Sequence, residues 1–156
     1  MEGMAHSLMR AKGRRESGTF VMVPKAILES EEYAALSAYE VKLLMDIYAQ
    51  YNGRNNGDFH CAWTLMRKRG WRSQDTLNRA LKGLLRRGWI ERTRQGGKHR
   101  CSLYAVSWKE INECGGKLDV RPTKVASGAW KNKTVLREPE HITTGGVAIQ
   151  MVRHAN

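Results

Sequence analysis

Side chains that can recognise nucleic-acid bases are concentrated near the middle of this 156-residue chain. Gln74, Asn78 and Arg79 fall within about two turns of a predicted helix. An asparagine or glutamine amide can form two hydrogen bonds with adenine, and an arginine guanidinium can do so with guanine. We therefore expect these three residues to contact bases. Asp75 lies four residues before Arg79 and is expected to orient it through an ion pair, although it could instead accept a hydrogen bond from cytosine.

A larger set of basic and hydroxyl side chains surrounds these three, and we expect it to contact the phosphate backbone. Its members are Arg67, Lys68, Arg72, Ser73, Lys82, Arg86, Lys98 and Arg100. The competing interpretation for every residue named so far is an ordinary solvated side chain. The neighbouring elements therefore matter, because a base-reading helix must be held with its polar side outward.

The spacing of leucines predicts a helix from Ser73 to Arg87. Leu77, Leu81, Leu84 and Leu85 recur at helical intervals and would share one buried stripe. The polar residues described above fall on the opposite side. This arrangement is typical of a helix that packs on a domain through one face and presents the other to a partner.

A shorter helix is predicted just before it, from Trp63 to Arg69, with Leu65 and Met66 facing inward. Gly70 marks the break between the two helices, because glycine readily adopts the positive φ that other residues avoid. Ser73 is a suitable N-cap for the longer helix. Two helices joined by a tight turn, with the second presented outward, form a helix-turn-helix.

A β-hairpin is predicted after the second helix. Its strands are expected from Trp89 to Thr93 and from Cys101 to Trp108, with Gln95-Gly96-Gly97 as the tip. Alternation along the second strand places Leu103, Ala105 and Ser107 on one face and Tyr104, Val106 and Trp108 on the other. A hairpin directly after a helix-turn-helix is a wing, and its basic tip suits contact with phosphate or with a minor groove.

The preceding part of the chain predicts supporting elements. A β-prone run extends from Thr19 to Val23, and a short helix from Lys25 to Leu28. The clearest helix extends from Ser37 to Tyr51, and Glu40 completes its capping box. A short strand is expected from Phe59 to Ala62. The residues of the clearest helix expected to face the core are Val41, Leu44, Met45, Tyr48 and Ala49.

Composition divides the chain into a domain with two tails. Residues 1–18 are expected to be a disordered basic arm, residues 19–110 the folded domain, and residues 111–156 an irregular C-terminal extension. A short strand is expected from Val147 to Val152 within this extension. Trp130 could serve as a docking point for a partner, but we favour its packing back on the domain.

Charge is distributed unevenly along the chain, whose formal net charge is +12. Residues 19–51 contain 2 basic and 5 acidic residues, a balance of −3, whereas residues 52–110 contain 14 basic and 4 acidic residues, a balance of +10. Positive charge concentrated in this way indicates a polyanionic partner. No apolar or amphipathic run is long enough to indicate a membrane partner.

Residues that commonly carry catalysis or bind metal form no recognisable motif. The chain has an odd number of cysteines, Cys61, Cys101 and Cys114, and none of them has CxxC spacing. The sequence therefore indicates neither a disulfide framework nor a zinc site. His60, Cys61, His99 and Cys101 are expected to be half-buried strand residues. HExxH, GxSxG and phosphate-binding glycine motifs are missing, so we expect no enzyme activity, cofactor or metal. The thiols and the lack of a signal peptide predict a reducing cytoplasm.

Three pieces of the chain resemble a known family. They are YNGRNNGD (Tyr51–Asp58), KRGWRSQDTLNRALKGLLRRGWIERTRQGG (Lys68–Gly97) and GGKLDVRPTKVASGAWK (Gly115–Lys131). They resemble the winged helix-turn-helix family of small DNA-binding proteins from bacterial plasmids, prophages and conjugative elements. The resemblance extends from Thr19 to about Lys131. It implies an α+β fold that is mainly helical, with a three-helix core and a β-hairpin wing.

These observations predict a cytoplasmic protein that binds double-stranded DNA through a helix in the major groove. Its role would be that of a transcription regulator or a replication accessory of a mobile element. The alternative is a protein-binding winged helix that engages or inhibits a host nucleoprotein complex. A homodimer would match palindromic DNA sites, although the sequence offers no long spare helix for an interface.

Overall fold

The computed structural model describes residues 19–132, which form a small α+β domain. The helices are α1 (Lys25–Leu28), α2 (Glu31–Ala34), α3 (Ala38–Tyr48), α4 (Trp63–Lys68) and α5 (Gln74–Arg86). They are followed by the strands β1 (Ile90–Arg94) and β2 (Leu103–Val106), which pair as an antiparallel hairpin. The C-terminal segment, residues 111–132, adds the short 3-10 turns Cys114–Gly116 and Ala129–Lys131. The predicted arm of residues 1–18 and the predicted strand Val147–Val152 lie outside the described residues.

Helix α3 begins where its capping residues predict. The Ser37 hydroxyl accepts a hydrogen bond from the Glu40 amide at 3.2 Å, and the Glu40 carboxylate accepts one from the Ser37 amide at 2.8 Å. The capping box is therefore confirmed. The helix ends at Tyr48 rather than Tyr51, and Ala49 becomes its exposed C-cap instead of a core residue.

The buried stripe of α3 is also displaced from the predicted one. Leu43 and Ile47 are fully buried together with Leu44 and Tyr48, whereas Val41 and Met45 are only half-buried. The stripe turns toward α5, which packs against α3, and this contact cannot be inferred from α3 alone. Together with residues of α4, α5 and the hairpin, these side chains form one hydrophobic core.

Neither the β-prone run Thr19–Val23 nor the predicted strand Phe59–Ala62 forms a strand. Residues Thr19–Val23 form no strand, because no second strand lies beside them within the described part of the chain. Of the predicted strand Phe59–Ala62, only Phe59 pairs, in a single bridge with Tyr104. The Gln50 side chain binds both main-chain groups of His60, at 3.1 and 3.0 Å, and so prevents further pairing.

The hairpin is shorter than predicted, and both of its faces are covered. β1 starts at Ile90, which pairs with Val106, and a bulge follows Arg92. All four residues of β2 are buried, because the C-terminal segment covers the face that the core leaves open. This segment is attached to the hairpin by hydrogen bonds from the Asp119 amide to the Thr93 carbonyl and from the Gly128 amide to the Ser107 carbonyl, both 2.8 Å.

Trp130 packs back on the domain, which confirms the favoured interpretation. Its side chain is 8% exposed, and its ring stacks on that of Trp89 with centroids 5.3 Å apart and planes inclined by 25°. Gly88 makes this approach possible, since a Cβ at its position would collide with the main chain of Ala129. Gly88 also has a φ of +73°, a conformation that favours glycine.

Asn56 links the α3–α4 loop to the end of the hairpin and to the C-terminal segment. Its fully buried amide nitrogen donates to the carbonyls of Val106, Lys109 and Glu110 at 3.1, 3.2 and 2.9 Å. Its amide oxygen accepts from the Val106 amide at 2.8 Å. The main-chain amide of Asn56 donates to the side chain of Asn112 at 2.9 Å. One residue, through its side chain and its main chain together, therefore joins three parts of the fold.

Candidate nucleic-acid interface

Helix α5 separates an apolar face from a polar one, as predicted. Leu77 and Leu84 are 2% and 0% exposed, and Leu81 and Leu85 pack against the core from half-buried positions. On the opposite side the base-reading candidates Gln74, Asn78 and Arg79 and the phosphate candidates Lys82 and Arg86 are all exposed. Positions 74, 78, 82 and 86 follow one another at i,i+4 spacing, so their side chains form a ridge along the helix.

The predicted ion pair on α5 is present. An Asp75 carboxylate oxygen lies 2.9 Å from the Arg79 guanidinium, and both side chains are largely exposed. An exposed i,i+4 pair contributes only about 0.3–0.5 kcal/mol, so its main effect is to restrict the orientation of Arg79. The N-cap is also present, since the Ser73 hydroxyl accepts from the Thr76 amide at 3.2 Å.

The turn between α4 and α5 is fastened to α3 by Asp46. This carboxylate accepts hydrogen bonds from the Trp71 indole and from the Lys42 ammonium group, both at 2.8 Å. The Arg69 guanidinium lies 3.7 Å from it, and Lys42 also donates to the Arg69 carbonyl at 2.9 Å. Gly70 has a φ of +89°, which confirms the predicted break. Asp46 is not among the residues predicted from the sequence, although its i,i+4 spacing from Lys42 indicates an ion pair.

A second contact between α3 and α5 sets how closely the two helices approach. The buried Glu40 carboxylate lies against Gly83, where a Cβ would overlap with it, and it forms an ion pair with Arg87 at 3.4 Å. The Arg87 side chain is only 15% exposed, so this arginine supports the helix rather than facing solvent. Neither Glu40 nor Gly83 was recognised from the sequence as a packing residue.

The candidates for backbone contact lie on three elements. Arg67 and Lys68 are exposed at the end of α4, and Arg72 and Ser73 are exposed where α5 begins. These four residues, together with those on α5, belong to one continuous helix-turn-helix segment of the chain. Lys98 and Arg100 belong to the hairpin loop, and both are exposed.

The hairpin turns later than predicted. The close turn is at residues 97–100, where Gly97 and Arg100 exchange main-chain hydrogen bonds of 2.8 and 3.1 Å and His99 has a φ of +64°. The predicted tip residue Gly96 instead runs against the main chain of Ser102, with no room for a side chain. The loop is held at its base by a 2.8 Å hydrogen bond from the Gln95 amide to Asp119.

The histidines and cysteines near the hairpin are not strand residues, contrary to the prediction. His60 and Cys61 are half-buried in a loop, whereas His99 and Cys101 are exposed. Burial raises the pKa of the Cys61 thiol to about 12, with smaller contributions from Asp46 and Cys101. Within residues 19–132, no group of three or more His, Cys, Asp or Glu side chains is arranged to hold a metal ion.

None of the helices in the described range has the length and apolar character that a membrane crossing requires. Comparison of the chain with protein-family models, with curated proteins and with solved structures returned no match.

Proposed function

We propose that α3, α4, α5 and the hairpin act as a winged helix-turn-helix that binds double-stranded DNA. Helix α5 would enter the major groove, with Gln74, Asn78 and Arg79 at the bases. The loop between β1 and β2 would be the wing and would contact the backbone through Lys98 and Arg100.

The observation that carries this proposal is the division of α5 into two faces. Its leucines are buried in the core, while amide and guanidinium groups are exposed along the other side. This helix lies in the part of the chain that has a charge balance of +10. A rigid helix that presents hydrogen-bonding side chains within a positive field suits a groove walled by phosphates.

The role in the cell is part of the same proposal. The segment Lys68–Gly97 resembles winged helix-turn-helix proteins of mobile elements. This resemblance suggests a role in the cytoplasm in transcription regulation or in replication of a mobile element. The alternative of a protein-binding winged helix is supported by the acidic balance of residues 19–51. Trp130 lends it no support, because its ring is stacked on Trp89 and is not available as a docking point.

Duplex binding is tested by fluorescence anisotropy with a labelled random-sequence duplex at several salt concentrations. We expect the logarithm of the binding constant to fall linearly with the logarithm of salt, with a slope of about −0.9 for each phosphate contacted. A flat salt response, or no binding at low salt, would refute DNA binding. A stable host complex recovered by pull-down in that case would favour the alternative.

Base recognition is tested with Arg79→Ala on sites obtained by random-site selection. We expect the binding free energy for the selected site to weaken by about 1–3 kcal/mol, and the sequence preference at one base position to relax. Arg121→Ala is the matched control, because Arg121 is exposed but lies in the C-terminal segment. Equal effects of the two substitutions would remove Arg79 from the base-reading set.

A further inference from the structure

The segment Thr19–Val23 precedes α1, contains no charged residue and exposes large apolar side chains. Phe20 and Met22 are 81% and 70% exposed, whereas Val21 is 36% exposed and Val23 packs against the core. Exposure that alternates from one residue to the next is the pattern of a strand with one face on the domain and the other uncovered. The segment therefore presents an apolar strand face formed by Phe20 and Met22.

One main-chain edge of this segment has no hydrogen-bond partner among the described residues. The Tyr48 hydroxyl donates to the Met22 carbonyl at 2.9 Å, which places that edge against the domain. In an extended chain the main-chain groups of successive residues point to opposite edges, so those of Thr19, Val21 and Val23 point away from Tyr48. Within residues 19–132, no hydrogen bond reaches these main-chain groups. An unpaired edge of this kind is a template for another strand.

We propose that Thr19–Val23 pairs with the same segment of a second copy of the chain, as an antiparallel two-stranded ribbon centred on Val21. In this register Val21 faces its own counterpart, and Thr19 faces Val23 of the second copy. Phe20 faces Met22 of the second copy, and the two-fold axis repeats this contact. Sulfur–aromatic contacts of this type are favourable, and paired strands satisfy the free main-chain groups.

Two observations favour a second copy over a different partner. In a register centred on Val21 every facing pair of the run TFVMV is uncharged, so a two-fold interface would set no like charges opposite each other. The chain has a formal net charge of +12, so two copies repel each other at most contacts. Contact through an uncharged segment allows two copies to associate without bringing the basic side chains of residues 52–110 of the two copies close together.

The proposal is tested by sedimentation equilibrium of the full chain at protein concentrations from about 1 to about 200 µM. We expect the mass to rise with concentration to twice the chain mass of 17.8 kDa. Val21→Pro should raise the dimer dissociation constant at least about tenfold, because proline lacks the central N–H donor. A monomer at every concentration, or a dimer unaffected by Val21→Pro, would overturn the proposal.

A compensating pair of substitutions tests the register. Phe20→Lys alone and Met22→Glu alone should each weaken association by about tenfold, since each places a charge against an apolar side chain. The double variant with both substitutions should associate as the wild type does, because the proposed register places a lysine opposite a glutamate at two symmetric positions. Val125→Lys is the control, since Val125 is a similarly exposed apolar residue, at 76%, outside the segment.

The compensating pair also separates a specific interface from a general loss of folding. Circular dichroism should be unchanged in all these variants, because the substituted side chains are exposed. A double variant that associates no better than the single ones contradicts the Phe20–Met22 pairing. An effect of Val125→Lys as large as that of Phe20→Lys contradicts the location of the interface.

Discussion

Substitution of Asn56 is expected to weaken the fold more than its single polar side chain suggests. In Asn56→Ala the buried Val106 amide loses its acceptor, and three carbonyls lose a shared donor. A buried main-chain group left without a partner costs about 1–3 kcal/mol. The Val106 amide and at least one carbonyl would be unsatisfied, so we expect the free energy of unfolding to fall by about 2–5 kcal/mol. This is a large fraction of the stability of a small domain.

Asn56→Asp keeps the shape of the side chain and tests the same network through its pH dependence. The new carboxylate would point one oxygen at the carbonyls that now accept from the amide nitrogen, so its charged form is strongly disfavoured. Its pKa in the folded state should therefore lie above the unfolded value of about 3.9. In the pH range between these two values the folded state binds more protons than the unfolded state.

The destabilisation by Asn56→Asp, measured relative to the wild type, should consequently be smallest at acidic pH. It should grow by up to about 1.4 kcal/mol per pH unit as the pH rises from about 4, and level off above the pKa of the folded state. The acid form keeps one donor and so preserves part of the network.

Urea unfolding followed by tryptophan fluorescence measures both effects, with extrapolation of the free energy of unfolding to water. Asn78→Ala and Asn78→Asp are matched controls, because Asn78 is exposed and each should change stability by no more than about 0.5 kcal/mol. A loss of less than about 1 kcal/mol in Asn56→Ala, or an effect of Asn56→Asp that does not vary with pH, would contradict this role of the Asn56 side chain.

Three further outcomes follow from packing and burial. Gly83→Ala should lower the free energy of unfolding by about 2 kcal/mol, because the new methyl group displaces the buried Glu40 carboxylate, although alanine alone favours a helix. Trp130→Ala should cost about 3 kcal/mol in urea unfolding and make residues 111–132 sensitive to limited proteolysis. At pH 8 an alkylating reagent should modify exposed Cys101 far faster than Cys61, whose pKa of about 12 keeps it protonated, as peptide mass mapping would show.

Local signals in the sequence were sufficient for four of the five helices, whereas the short helix α2 was not predicted. The bounds of α5 follow from a serine cap and leucines at helical spacing, which act within a few residues of one another. The capping box of α3 and the positive φ of Gly70 are likewise local. Such elements can be predicted because the interactions that define them are close in the sequence.

The errors occur where a distant residue decides the outcome. The Thr19–Val23 run is β-prone but has no partner strand within the described residues, and a single unpaired strand is not stable. Residues of β2 alternate between two faces as predicted, but the sequence did not indicate that both faces would be buried, which results from cover by residues about 20 positions later. The C-terminal segment has no apolar periodicity, so the only sign of its attachment was Trp130.

The positioning residues of α3 were missed for a different reason. Asp46 and Glu40 belong to a part of the chain with an acidic balance, where Asp46 could be taken for a solvated charge and Glu40 was predicted only as a capping residue. The structure places their carboxylates against the α4–α5 turn and against Gly83. The i,i+4 spacing from Lys42 indicates an ion pair for Asp46, and the capping box indicates a role for Glu40, but neither signal shows that the acid also contacts another helix.

These acids also change how the charge of the chain should be counted. Arg69 and Arg87 belong to the 14 basic residues of the positive part, but they pair with Asp46 and Glu40, and their side chains are only 33% and 15% exposed. Removing either partner would leave a poorly solvated charge, so substitutions there should act mainly on stability. Exposed cations such as Lys82 are free of this constraint, and their substitution should act mainly on the salt dependence of binding. The acids of α3 and the arginines that follow α4 and α5 thus hold the helices together, while exposed cations such as Lys82 give the surface its charge.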